Sequence, residues 1–363
     1  MKIYYIVSVP KETIHSAALN RIKQFQLGLK KEGVDCSIIN IDFTSSIRNR
    51  CIGKLHVIYT ILKFLFTFTF CVRKSLLIFY GESVLYKLFP ILKKKHKIIV
   101  ERNEFPTYMI SQVELSTKQI EFCQKFEQAL VHCHGFITCS DELKKYYFHF
   151  LRKDCHCFVS PLIVDVDKFS KRGIPIENKI SYCGDWGNNK DGVDILIKAF
   201  ALIHSKYPQM KLSLIGGSTK EVEEQLMCLC EKLEISDYID FVGRINHEQM
   251  PNYLCNSRIL ALARPDNKQA AGGMPSKVAE YLSTGRPVVL TNVGELYKFL
   301  ADGRDCYMAL PNSIESFAQK LDEALSDLNA SIIGERGYKV ALQFDISVQS
   351  KLLLEYLKSI SNV

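Results

Sequence analysis

Residues 271–290 read AGGMPSKVAEYLSTGRPVVL, and within nine positions they gather a glycine pair, a hydroxyl, an ammonium and a carboxylate. Gly272 and Gly273 allow close backbone approach to a ligand. After Met274 and Pro275, Val278, Tyr281 and Leu282 recur at helical spacing, so Ser276 and Lys277 fall at a helix start, where free N–H groups and the positive dipole end suit a phosphate. Glu280 lies one turn further on, placed to accept hydrogen bonds from a ribose diol. The bland reading is an ordinary helix start with a polar face.

Such a loop acts only if a scaffold holds it. Gly285 and Pro287 end the helix, and Val288, Val289 and Leu290 follow as a buried strand. The same rhythm repeats upstream: KISYCG, KLSLIGG, IDFVGR and ILALA are strands, with helices expected at 193–207, 221–233, after Pro251 and at 275–284. An earlier series runs MKIYYIVSV, a helix marked by Ala17, Leu19, Ile22, Phe25 and Leu29, then CSIINI, SLLIFY, KIIVE, GFITCS and HCFVS. KRGIPIEN, polar with Gly and Pro, separates the two series as a linker. Two α/β units with parallel sheets follow, and ligands of such sheets bind beyond the carboxyl ends of the strands. The loops 184–192, 216–217, 243–244 and 263–276 all lie there.

At 363 residues, 47% hydrophobic and 24% charged, the chain has material for about two folded domains. Residues 1–170 hold 25 Lys and Arg against 15 Asp and Glu, a net of +10, while the remainder holds 22 against 24. The basic half faces something acidic or a membrane surface. Nucleic acid is a poor partner, because no recognised motif or aromatic platform accompanies the basic residues. Thirteen irregularly spaced cysteines, with no signal peptide in MKIYYIVSVP, fit a reducing cytoplasm. His132-Cys133-His134 and Cys155-His156-Cys157 lack the ligand spacing of a zinc site.

Residues 55–72, LHVIYTILKFLFTFTFCV, form an aromatic-rich apolar run with Lys63 near its centre; Arg73-Lys74 and Lys93-Lys94-Lys95 follow. A span there would put a charge at the bilayer centre and cut the first unit in two. Two readings stay open: a buried crossover helix, or a helix lying in the bilayer surface with its lysines on anionic head groups.

The strings YCGDWGNNKDGVDILIKAFALI, KLSLIGG, IDFVGRINHEQMPNYL and GGMPSKVAEYLSTGRPVVLTNVGE resemble the nucleotide-sugar domain of the retaining glycosyltransferases of family 4. GLKKEGVDCSIINI, ERNEFP, FITCSDELKKYY and PLIVDVDKF match the family's first domain more loosely. The resemblance implies a GT-B fold: two Rossmann-like domains facing across a cleft, an acceptor domain at 1–170 and a nucleotide-sugar domain at 171–343. Segment 344–363 would then be a C-terminal helix returning to the first domain.

It also implies roles. Lys190, Arg264 and Glu280 would carry the chemistry. Gly184, Asp185, Gly243, Arg244, Lys268, Gly272, Gly273, Met274, Pro275, Ser276 and Lys277 would join Glu280 around the donor, the backbone at Gly243-Arg244 reading the base edge. Glu104 and His15 would lie on the acceptor side. Two positions depart from the family pattern: eight before Glu280, where a second glutamate is usual, stands Gly272, and Asp185 replaces the arginine that often follows the first glycine. Lys190 matches the phosphate-binding lysine with a one-residue offset. Each lysine also reads as a solvated surface cation.

The implied reaction moves a sugar from a nucleotide diphosphate, a UDP-sugar in preference to a GDP-sugar, to a lipid-linked or polysaccharide acceptor in surface glycan synthesis. No metal or other cofactor is expected, and the location expected is cytoplasmic, peripheral at the inner face of the membrane. The missing glutamate and arginine leave a non-catalytic nucleotide-sugar scaffold as the alternative.

Overall fold

The structure is a computed structural model that describes residues 2–8, 17–41, 43, 50–169, 174–187, 190–246 and 248–361. The chain forms two compact units, Met1–Ile163 with Ile346–Val363, and Val164–Asp345.

The first unit is built on β1 (Lys2–Val7), β2 (Asp35–Asn40), β3 (Leu76–Tyr80), β4 (Lys97–Arg102), β5 (Gly135–Thr138) and β6 (His156–Val159). All pair in parallel, in the order β2-β1-β3-β4-β5-β6. Their near-continuous apolar runs reflect burial on both faces. Leu19, Ile22, Phe25 and Leu29 of the Ala17–Lys31 helix pack into one core with Leu353, Leu354 and Leu357 of the Ile346–Ser361 helix. That last helix is anchored in the first unit: the Tyr356 hydroxyl donates to the His156 carbonyl at 2.8 Å, and the ring stacks on Phe158 at 5.2 Å.

The apolar run lies in the Arg50–Phe66 helix, whose end widens into a π-helical turn over Thr67–Cys71. Its two faces have different fates. Phe64 and Phe68 are buried against Tyr4, Phe79 and His96, whereas Leu55, Ile58, Tyr59, Leu62, Phe66 and Phe70, with successive gaps of three, one, three, four and four, are exposed. Lys63, Arg73 and Lys74 are exposed beside them, and Lys95 Nζ donates to the Thr69 carbonyl at 2.7 Å. Among the described residues no helix is long and apolar enough to cross a membrane.

The second unit holds β7 (Glu177–Asp185), β8 (Lys211–Gly217), β9 (Ile239–Gly243), β10 (Ser257–Leu262), β11 (Val288–Thr291) and β12 (Tyr307–Ala309), again parallel, in the order β12-β11-β10-β7-β8-β9. β12 is the strand that sequence reading does not anticipate; three residues are too short for a pattern. Strand order reverses between β7 and β10, so the loops leaving those two strands diverge and open a crevice at their carboxyl ends.

Candidate functional site

The residues that converge at this crevice come from three places. β7 ends at Gly184-Asp185, β10 ends at Leu262 and is followed by Ala263 and Arg264, and the Ser276–Ser283 helix starts after Pro275. Tyr281 pins that helix to the sheet, its hydroxyl accepting from the Cys183 N–H at 2.7 Å. Pro275 provides no side-chain cap and no acidic residue stands in the first turn, so the helix start remains suited to an external anion.

Asp191 sits at the centre, 3% exposed. Lys277 Nζ donates to its Oδ2 at 2.7 Å, the Tyr182 hydroxyl lies 2.8 Å from the same oxygen, and Arg264 Nη1 is 3.9 Å from Oδ1. Burial pushes this carboxyl up, but Lys277, Arg264 and Tyr182 together outweigh it and hold it below the usual carboxylate range. Two glycines make the convergence feasible. A Cβ on Gly184 would lie 2.1 Å from Lys277 Cε, so only glycine lets the lysine stem cross the strand end. Gly192, in the left-handed region at φ +66°, abuts the Ala263 carbonyl and turns the chain into the Val193–His204 helix.

Arg264 is buried; its Nη2 donates to the Gln269 carbonyl at 3.4 Å, and its own carbonyl accepts from the Thr291 hydroxyl. Glu280, half-buried one turn beyond Lys277, makes no hydrogen bond or ion pair to another described residue. Burial pushes its carboxyl up to about 7, with Lys277 pulling the other way.

The other expected residues spread around this centre. Lys190 is half-buried in the loop just before Asp191, and Lys268 is exposed in the Lys268–Gly272 turn, which Asn267 caps. Gly272, Gly273, Met274 and Pro275 link that turn to the helix, and Ser276 opens it. The Asp185 side chain is exposed and accepts from the Gly187 N–H at 2.7 Å, so it serves its own loop. Gly243, at φ +76°, releases Arg244 from β9, and the arginine's side chain passes over Gly217. Glu104 belongs to the first unit, exposed after β4, with its carbonyl accepting from the Tyr147 hydroxyl at 3.0 Å. His15 lies outside the described residues.

Sequence reading misses Asp191 and Tyr182. The signal for Asp191 is the offset itself: the position before Gly192, where the resemblance expects a lysine, holds a carboxylate. At His132-Cys133-His134 the side chains have structural tasks: Cys133 is fully buried, His134 Nδ1 accepts from the Ile98 N–H at 3.0 Å, and His132 Nδ1 is 3.0 Å from Lys93 Nζ. Among the described residues no group of three or more His, Cys, Asp or Glu could hold a metal ion.

Residues 177–327 match the family model for glycosyl transferases group 1, which takes in all six strands of the second sheet. An uncharacterized glycosyltransferase of Haemophilus influenzae is 30% identical over 132 residues, 36% of this chain and 35% of that protein. A D-inositol 3-phosphate glycosyltransferase of Corynebacterium urealyticum is 26% identical over 195 residues, 52% of this chain and 45% of that one. The chain thus aligns with less than half the length of either curated relative. In fold the likeness extends throughout. Anabaena HepE, solved with UDP and glucose, superposes with a TM-score of 0.71 at 14% identity, covering 99% of this chain and 100% of that one. The sucrose-phosphate synthase of Thermosynechococcus elongatus gives 0.73 at 15% identity with the same coverage. The architecture is that of the GT-B glycosyltransferases, and the second unit is a glycosyltransferase domain of the glycosyl transferases group 1 family.

Proposed function

We propose that the protein is a retaining glycosyltransferase that moves a sugar from a nucleotide-diphosphate donor, a UDP-sugar in preference to a GDP-sugar, to a lipid-linked or polysaccharide acceptor in surface glycan synthesis. The observation that carries this reading is the pairing of Lys277 and Arg264 around one buried carboxylate, at a helix start, with Glu280 one turn beyond. Two cations gather at one carboxylate, in a crevice where a departing diphosphate gains negative charge. Stabilising that charge in the transition state is worth several kcal/mol of barrier. The acceptor hydroxyl attacks the anomeric carbon on the face the diphosphate leaves, without a protein nucleophile. Lys190 supplies further charge, Glu280 holds the ribose, and no metal is needed. The HepE structures with UDP and with UDP-glucose support a uridine donor.

Glu104 and His15 are proposed for the acceptor side. The acceptor is met at a membrane: the outward stripe from Leu55 to Phe70, with exposed Lys63, Arg73 and Lys74 beside it, fits the surface of an anionic bilayer at the cytoplasmic face.

The test is a thermal-shift screen against UDP, GDP and ADP and their sugars, followed by donor hydrolysis with and without EDTA. Stabilisation by UDP and slow, EDTA-resistant hydrolysis of a UDP-sugar are expected; a ligand at about 100 times its Kd adds about 2.7 kcal/mol. Binding without any turnover favours the non-catalytic scaffold, and no shift with any nucleotide refutes both readings.

A further inference from the structure

Building on the donor reading above, we propose that Asp191 is the positioning residue of the diphosphate site: it aims Lys277 and Arg264 at the leaving group and thereby takes over, through another side chain, the task of the cation expected at its own position. The argument begins with what a buried carboxylate costs. An ion 3% exposed is retained only where good geometry offsets its desolvation. Here the geometry is directed. Tyr182, buried and fixed in β7, holds Oδ2 on one side, and Lys277 Nζ approaches the same oxygen at 2.7 Å from the other.

Lysine is a flexible four-carbon stem with three donors. One donor is engaged by Asp191, while the side chain stays 21% exposed, so the ammonium is fixed in place with donors still turned to the crevice. Oδ1 accepts no hydrogen bond among the described residues and faces Arg264 Nη1 at 3.9 Å, which draws the second cation to the same point. Gly184 completes the device, because any side chain there would occupy the path of the lysine stem. A lysine at 191 would instead place three cations together with no carboxylate between them.

The proposal makes a prediction of unusual sign. Asp191→Asn removes a negative charge next to an anion site, so Coulomb attraction alone would tighten UDP binding; loss of aim would weaken it. The full chain is titrated calorimetrically with UDP as wild type, Asp191→Asn, Tyr182→Phe, Lys277→Met and the Asp191→Asn/Lys277→Met pair. Asp191→Asn is expected to weaken UDP at least fivefold and Tyr182→Phe about half as much on a logarithmic scale. In the Lys277→Met background the asparagine should change affinity less than twofold, since the group it positions is gone.

Unchanged or tighter binding by Asp191→Asn overturns the proposal, and so does an undiminished loss in the Lys277→Met background, which is the mark of a merely structural role. If Asp191→Asn does not fold, Tyr182→Phe decides, and wild-type affinity in that variant refutes the positioning. Wild-type protein that binds none of UDP, GDP and ADP refutes the nucleotide-sugar reading instead. Inorganic pyrophosphate then tests the anion seat by itself: weaker binding by Asp191→Asn or Tyr182→Phe sustains the inference, and no binding by the wild type ends it.

Discussion

On the proposed reading, in which Glu280 holds the ribose, donor binding depends on pH. Its carboxyl is raised to about 7, by burial first and against the pull of Lys277. If the ionised form is the one that accepts two hydrogen bonds from the ribose, only the ionised fraction binds. That fraction is about a tenth at pH 6 and about nine-tenths at pH 8, so the apparent Kd should tighten about tenfold across the window. Asp191 is held below the usual carboxylate range, and burial pushes the Cys183 thiol up to about 12, so neither titrates in that window. UDP-glucose is the appropriate titrant, because its esterified diphosphate does not itself ionise between pH 6 and 8. The folded, unliganded protein carries the opposite slope. A carboxyl raised from 4.5 to about 7 contributes stability that is full below 4.5 and lost as pH rises through about 7. Calorimetry at pH 6, 7 and 8 on wild type and Glu280→Gln, with melting temperatures of both, measures the two slopes together. The variant should bind more weakly, by about 1.5–3 kcal/mol relative to wild type at pH 8, and show neither slope from this group. A wild-type Kd constant within about twofold, or a slope that survives in Glu280→Gln, refutes the reasoning.

Three further outcomes follow from the same geometry. Gly184→Ala, with its Cβ 2.1 Å from Lys277 Cε, should displace the lysine, weaken UDP and cost about 1–3 kcal/mol of stability; wild-type affinity in calorimetry would show that the crossing is not needed. Lys190→Ala and Arg264→Ala should each lose turnover more than donor affinity, because the charge they meet grows in the transition state, and steady-state kinetics with wild-type kcat in both would transfer the role to Lys268 or remove it. On the Arg50–Phe66 helix and its π-helical turn, Phe68→Ser should cost about 3–5 kcal/mol in melting experiments, since that ring is 2% exposed. Phe66→Ser and Phe70→Ser, on rings 59% and 71% exposed, should leave the melting temperature unchanged and reduce sedimentation with anionic vesicles. Binding that is equal on neutral vesicles, or absent from both, counts against the membrane-surface reading.

What could be read from the sequence alone was what is local. The strand at 288–291 and the helix at 276–283 announce themselves by apolar period and by Gly285 and Pro287, and the glycine pair marks a close approach whatever the tertiary fold. The apolar run at 55–72 shows its helical period too, but period alone does not say which side faces the sheet; that is settled by Tyr4, Phe79 and His96 closing on Phe64 and Phe68. The Asp191–Lys277 pair is different in kind. Its members are 86 positions apart, and they meet only because strand order reverses between β7 and β10, so that the loop after β7 and the helix before β11 enter one crevice. A sequence string counts cations one position at a time, and by that count Lys190 is the nearest replacement for a lysine before Gly192. In three dimensions charge at a site is a sum over groups that share a carboxylate, and Lys277, reaching over Gly184 to Asp191, can meet the same need from the other side of the crevice. The substitution that looks like the loss of a phosphate ligand is, on this geometry, half of an exchange whose other half lies one helix away.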